Sequence, residues 1–372
     1  MKKSSSIIIV AVLLALLVGS HVFAKDYSSY AVERGEAVSF TPEELQSMTA
    51  IDFKNIAEKI GPETLIGKKG EGKGLKIAFS QRGLGGSEWW ENLVRLAKEE
   101  AEWLGVEITI LDADRREEKQ ISDLLSLLQQ RPDALIINPQ HPSAILKPLE
   151  RYQQAGIPIF VVNSDIDPRA NPTSFVSGDG FEMGYNLGWA LAQQANRKGL
   201  RGEIKAMILS GFPGELVSLV RRQGIMAGFN EYQFQTNGRS HLNIVSQQFA
   251  NWLPENAMKI TQDVLSAHPD LDIVFCEDDG TAQGAIAALD MAGKLDTIIG
   301  GSIDGRKQIL KSVADGNWAV DVMHDPRHQG KWVVYFAVQH LLGNEVPSEF
   351  YIPTPAADPK TVEKYYNPAS QY

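Results

Sequence analysis

Cysteine is almost absent from this chain of 372 residues: the single one, Cys276, sits inside an apolar run. No intrachain disulfide can form, and no cysteine near the N-terminal region is available for lipid attachment. Positive charge is short as well. Lys and Arg number 36 against 46 Asp and Glu, a formal net charge of -10. Nucleic acid requires a basic footprint, which this balance excludes, and it argues equally against an anionic membrane surface. The acidic excess serves solubility. The apolar run Ile7–Val18 is only about a dozen residues, where a bilayer span takes roughly 20. There is no G-x-S-x-G elbow, no Walker A loop and no cysteine nucleophile in a suitable context. Gly178-Asp179-Gly180 is too short for a phosphate loop. His324 and His328 are four apart, but Asp325-Pro326 between them reads as an N-cap and first helical turn, so the two need not share a face as metal ligands. No cofactor and no metal are expected.

What is present starts with the N-terminus. Met1-Lys2-Lys3, the apolar run and Val22-Phe23-Ala24 form the pattern of a secretory signal, cut after Ala24. Residues 1–24 are read as a removed signal, against the alternative of an uncleaved anchor, and the compartment as a bacterial periplasm. A secreted chain without disulfides relies on a large core, and this length favours two domains. Residues 25–73 are polar, with a helix start at Thr41-Pro42-Glu43-Glu44-Leu45 (Thr N-cap, Pro at N1, acidic first turn) and a flexible basic end at 67–74. They read as an extension packed on the outside of the main body.

From Leu75 onward, strands and helices alternate. Strands are expected at 75–80, 106–111, 134–138 and 158–162, with helices at 88–104, 117–130 and 143–155. The pattern returns with strands at 204–209, 243–247, 273–276, 297–303 and 319–322. Its helices are at 215–232, 254–267, 281–292, 306–314 and 326–342. Strands this apolar are buried on both faces, which implies parallel sheets flanked by helices. The fold class is α/β, with two doubly wound lobes. Ligands of such sheets bind at the carboxyl ends of the strands, and two facing sheets put those ends on either side of a cleft.

The residues just after the strands are chemically selective. Trp89 and Trp90 open the first helix, and Trp252 stands downstream between a strand and a helix. Asn163, Ser164 and Asp165 follow the fourth strand. Glu277, Asp278 and Asp279 follow the seventh, Asp304 the eighth, and His324 and Asp325 the last. Arg221 and Arg222 lie in the helix after the fifth. Sugars fit such a set, because their C–H faces stack on aromatic rings while adjacent hydroxyls are gripped by Arg and carboxylate in plane. Each member also has an ordinary role: Trp89-Trp90 as one core and one surface residue, Asp278 as a helix cap, Asp304-Gly305 as a turn, Arg221 as a solvated helix residue. Placement together at the strand ends is what singles them out.

Several stretches resemble the periplasmic sugar-binding proteins of the ribose-binding type, solute receptors of ABC importers with the type I periplasmic binding protein fold. They are Glu88-Trp89-Trp90 with the helix to Gly105, Gly156–Asn163, Arg221-Arg222-Gln223-Gly224, Ala267-His268-Pro269-Asp270 with the strand to Cys276, and Gly301–Gly305. The likeness covers roughly 75–355. It implies three crossings between lobes, near Gly178, His324 and Ile352, and hinge closure on the ligand. It places the N-lobe at 74–178 plus 325–351 and the C-lobe at 179–324 plus 352–372. It puts the ligand on Trp89, Trp90, Asn163, Asp165, Arg221, Trp252, Asp278, Asp304 and His324. The implied partners are a small sugar or polyol and an ABC permease in the inner membrane. Departures bear on the ligand: Trp replaces Phe at three stacking places, Asp278 stands where Asn is common, Asn163-Ser164 where the ribose receptor has Asp-Arg, and His324 where it has Gln. The rival readings are a sensor co-receptor acting on a kinase or chemoreceptor, and a periplasmic carbohydrate-active enzyme. Sugar-responsive repressors share the binding core but carry a DNA-binding headpiece, which the signal and the acidic balance exclude.

Overall fold

The computed structural model describes residues 37–85, 87–370 and 372. The signal at 1–24 and the first part of the extension, 25–36, lie outside the described residues. The extension contributes α1 (Pro42–Ser47) and α2 (Ala50–Lys59). In α1, Thr41 accepts from the Glu44 N–H while the Glu44 side chain takes the Thr41 N–H, a complete capping box. The extension does not merely coat the surface. Val38, Phe40, Phe53, Ile56 and Ile66 join one core cluster with Trp332, Tyr335, Phe336 and Phe350. Phe53 lies edge-on to Trp332, Phe336 and Phe350 at centroid distances of 5.7, 5.2 and 6.4 Å. An aromatic placed so is core by any energetic measure.

The alternation then runs β1 (Lys76–Gln81), α3 (Glu88–Leu104), β2 (Glu107–Asp112), α4 (Glu117–Gln129), β3 (Ala134–Ile137), α5 (Leu146–Gln154), β4 (Ile159–Val162) and β5 (Ser174–Ser177). It continues as α6 (Gly180–Arg197), β6 (Ile204–Ser210), α7 (Leu216–Asn237), β7 (Leu242–Phe249), α8 (Pro254–Ala267), β8 (Ile273–Cys276), α9 (Asp279–Met291), β9 (Ile299–Asp304), α10 (Lys307–Ala314), β10 (Val320–Met323) and α11 (Pro326–Leu341). Two short strands close it, β11 (Glu349–Tyr351) and β12 (Ala356–Ala357). Most elements fall within two residues of the sequence reading. There are exceptions: the helix expected at 143–155 starts only at Leu146, and α7 runs on to Asn237. The elements α6, β5, β11 and β12 were not expected.

Two six-stranded sheets result, in the orders β11-β5-β4-β3-β1-β2 and β12-β10-β9-β8-β6-β7. All pairings are parallel except β10 with β12. Apolar side chains line both faces of each sheet, in separate buried clusters. The chain passes from the first sheet to the second between β5 and α6, returns between β10 and α11, and passes again between β11 and β12. Strand order reverses between β1 and β3 in one lobe and between β6 and β8 in the other. In open α/β sheets, those switch points are where ligands sit.

Candidate functional site

The first wall is built at the ends of β1, β3 and β4. Ser87 caps α3 by accepting the Trp90 N–H, so both tryptophans fall in the first turn. There they part. Trp89 is buried in the core, and its Nε1 donates to the His324 carbonyl at 3.0 Å. Its ring lies 5.0 Å from the His324 ring. Trp90 stays half-buried, with the guanidinium groups of Arg82 and Arg115 over it at 5.1 and 4.9 Å. Asn163 takes the left-handed backbone (φ 67°) that Asn tolerates better than most residues. Its amide reaches Asn138 at 3.5 Å, and Asn138 in turn donates to Gln81 at 3.1 Å, an amide ladder across three strand ends. Asp165 stands apart: it is exposed and makes no hydrogen bond among the described residues.

The second wall carries buried charge. Arg221, 4% exposed, donates through Nη1 to the Glu277 carbonyl at 2.5 Å and through Nη2 to His324 Nδ1 at 3.0 Å. Asp304 Oδ1 is 3.8 Å from Arg221 Nη2 and 3.4 Å from His324 Nδ1. Burial pulls the His324 imidazole below its ordinary pKa, although Asp304 opposes this. The ring is therefore neutral at pH 7. Since an arginine only donates, Nδ1 accepts and the proton sits on Nε2; the Gln329 amide, 2.8 Å away, pairs with that proton when its otherwise unpartnered oxygen is turned to face the ring. Asp278 caps α9, accepting the N–H groups of Gly280 at 3.0 Å and Thr281 at 2.9 Å. Burial, reinforced by Asp304, raises its pKa. Glu277, also pushed up by burial, accepts from Ser210 at 2.7 Å, from Ser218, and from the Gly211 N–H at 3.1 Å.

Trp252 joins the walls. It is half-buried, with φ 61°, and the Arg221 guanidinium lies 5.9 Å from its ring. Its Nε1 donates to Glu215 at 2.9 Å. Only glycine fits beneath the ring, since a Cβ at Gly211 would come within 1.8 Å of it. Glu215 also meets Arg82 of the first wall at 3.7 Å. A contact chain thus runs Trp90–Arg82–Glu215–Trp252–Arg221–His324–Trp89, with Asp304 and Asp278 behind it and Asn163 alongside through Ser164, to which Arg82 donates at 3.0 Å. Of the nine residues expected at the site, all but Asp165 belong to this assembly.

Sequence reasoning did not single out Arg82, Gln81, Asn138, Glu215 or Gln329. Gln81 and Arg82 were visible as strand-end residues; the others carry no local signal. Among the described residues, no group of three or more His, Cys, Asp or Glu is placed to hold a metal. Several buried side-chain atoms lack a hydrogen-bond partner, Arg306 Nε among them, and within this assembly the cationic one is Arg221 Nε. A charged donor so placed calls for an acceptor, and a ligand oxygen between the walls would be one.

Comparison with known proteins agrees with this architecture. The profile of a family described as periplasmic binding protein domain matches residues 77–345. A ribose import binding protein of Bacillus subtilis is 29% identical over 256 residues, spanning 69% of this chain and 78% of that one. A putative rhizopine-binding protein of Rhizobium meliloti is 29% identical over 253 residues, 67% of this chain and 79% of that one. Among solved structures, an ABC transporter solute binding protein of Bacillus halodurans with bound myo-inositol aligns at a TM-score of 0.70. It has 26% identity and covers 82% of this chain and 100% of its own.

Proposed function

This chain belongs to the periplasmic binding protein domain family, and on that premise we propose that it is the solute receptor of an ABC importer for a monosaccharide or polyol. The ligand lies between the walls. Trp90 and Trp252 offer apolar ring faces to its C–H surface, and Arg221, Asp304, Asp278 and Asn163 grip its hydroxyls. Trp89 and His324 hold the back of the site. Asp165 meets the ligand only through movement of its loop. The lobes, 74–178 plus 325–351 and 179–324 plus 352–372, close about the three crossings, and the closed form docks on the inner-membrane permease. No bond is made or broken. Residues 1–24 direct the chain to the periplasm.

The observation that carries this reading is the orphaned Nε of Arg221, a buried cationic donor already flanked by a carboxylate, an imidazole and an indole. Relatives that bind ribose and myo-inositol by name both take rings with adjacent hydroxyls, which is the chemistry these groups match. The test is a thermal-shift panel of pentoses, hexoses, amino sugars and polyols on protein stripped of endogenous ligand. A true ligand at 100 times its dissociation constant adds about 2.7 kcal/mol. One compound raising the melting temperature names the substrate class. Turnover of a glycoside would instead favour an enzyme, and silence across the panel would defeat the sugar assignment.

A further inference from the structure

Two segments lie outside the family match at 77–345, the extension and the last residues of the chain, and they meet at one side chain. Arg327, in the first turn of α11 just after the second crossing, is 5% exposed. It pairs with Asp325 (2.5–3.1 Å), donates to Glu63 of the extension at 2.9 Å, and donates to Ser370 Oγ at 2.6 Å. Lys307 adds a bond to the Ser370 carbonyl at 2.6 Å. So anchored, the tail lays the Tyr372 ring against the Arg327 guanidinium at 5.5 Å. That ring is 2% exposed, and its hydroxyl donates to the Asp304 carbonyl at 3.5 Å.

Asp304 needs holding. Its φ of 145° is in a region that side chains rarely adopt, and only the surrounding structure can keep it there. Two groups pin its carbonyl: the His324 N–H at 3.0 Å and the Tyr372 hydroxyl. With that peptide fixed, the Asp304 carboxylate is aimed at Arg221 and His324. We propose that Tyr372 is a positioning residue for the ligand-gripping carboxylate of Asp304, and that the extension and tail, joined through Arg327, set how firmly the site is preorganised. This rests on reading Asp304 as a ligand contact.

The experiment compares wild type with Tyr372→Ala and Tyr372→Phe by two readouts. The first is hydrogen exchange of the backbone at 302–306 and 324 without ligand. The second is the affinity and off-rate for whichever compound the thermal-shift panel identifies. Release of a strained backbone position should raise local exchange in Tyr372→Ala and weaken binding about tenfold, mostly through the off-rate. Tyr372→Phe keeps the ring under Arg327 and loses one hydrogen bond, so its loss should be smaller, about threefold. Unchanged exchange at 302–306 overturns the proposal. So does a lowered melting temperature with wild-type affinity, which marks a merely structural tail. If wild type binds nothing in the panel, the receptor reading fails by itself. The exchange data then still decide whether Tyr372 orders Asp304.

Discussion

The two walls of the cleft solve different problems. The first, from β1, β3 and β4, presents a half-buried indole and a ladder of neutral amides, Gln81–Asn138–Asn163. Of its arginines, Arg115 is exposed at the mouth, where water moderates its charge, while Arg82 is mostly buried and reaches across to Glu215 at 3.7 Å. The second wall buries Arg221, Glu277, Asp278, Asp304 and His324 together. Neutral amides and stacking tolerate small misfits, whereas buried charges are costly whenever a partner is missing. The first wall therefore supplies shape and the second supplies orientation, and mutations should separate the two.

Arg221→Ala should show the largest effect. It leaves Asp304 and His324 without their shared donor and deletes the orphaned Nε. We expect a loss of about 3 kcal/mol or more in binding by titration calorimetry, the scale for stranding one member of a buried charged pair. Wild-type affinity in this variant would remove the second wall from the site. Next come the indoles. Trp252→Ala should cost about 2 kcal/mol, because the ring both stacks and bridges to Glu215. Trp90→Ala should cost about 1 kcal/mol, since its ring only stacks. Equal losses would mean that the walls share the load and the comparison fails.

Much of this was legible in the sequence, for a physical reason. A parallel strand buried on both faces writes itself as an apolar run, and whatever polar group follows it stands at the carboxyl edge. Asp278, Asp304 and His324 were therefore placed at strand ends without coordinates, and Arg221 and Trp252 in the segments that follow β6 and β7. The partners that orient them were not, since pairing Glu215 with Trp252 and Arg82, or Gln329 with His324, depends on tertiary approach. The helix α6 escaped for another reason. Its segment was given no element, and its glycines serve a tertiary contact: a Cβ at Gly184 would sit 2.0 Å from the Arg221 carbonyl, so the spacing is for close approach to α7. The extension misled in the opposite direction: its polar composition hid Phe53, which completes an aromatic core.

A pH series sharpens the same comparison. The His324 pKa is depressed by burial, so binding should hold steady from pH 8 down to about 6.5, the ordinary imidazole value, and fall only below it. Protonation there turns the acceptor for Arg221 into a second cation. Stability follows the same sign. The folded pKa lies below the unfolded one, so the unfolded chain takes up protons first and stability is lost as pH falls through about 6.5. His328, buried and held at about 3, adds to that loss from the first lobe. His324→Gln should abolish the acid dependence of binding while leaving the part of the stability slope due to His328. A binding profile that still falls below pH 6.5 in this variant would assign the titration to the carboxylates instead.

The smallest expected effect is at Asp165, and it tests the comparison from its weak side. The side chain is exposed and makes no hydrogen bond among the described residues. A carboxylate on a solvated loop has little to lose on truncation, and substitutions at such surface positions usually stay within about 0.5 kcal/mol. Asp165→Ala should thus bind the ligand as wild type does. A loss near that of Trp90→Ala would mean that the loop after β4 folds over the ligand on closure and brings a negative charge to the first wall. The division of labour between a neutral wall and a charged one would then hold only for the form seen here, and the loop would be the element that completes the site.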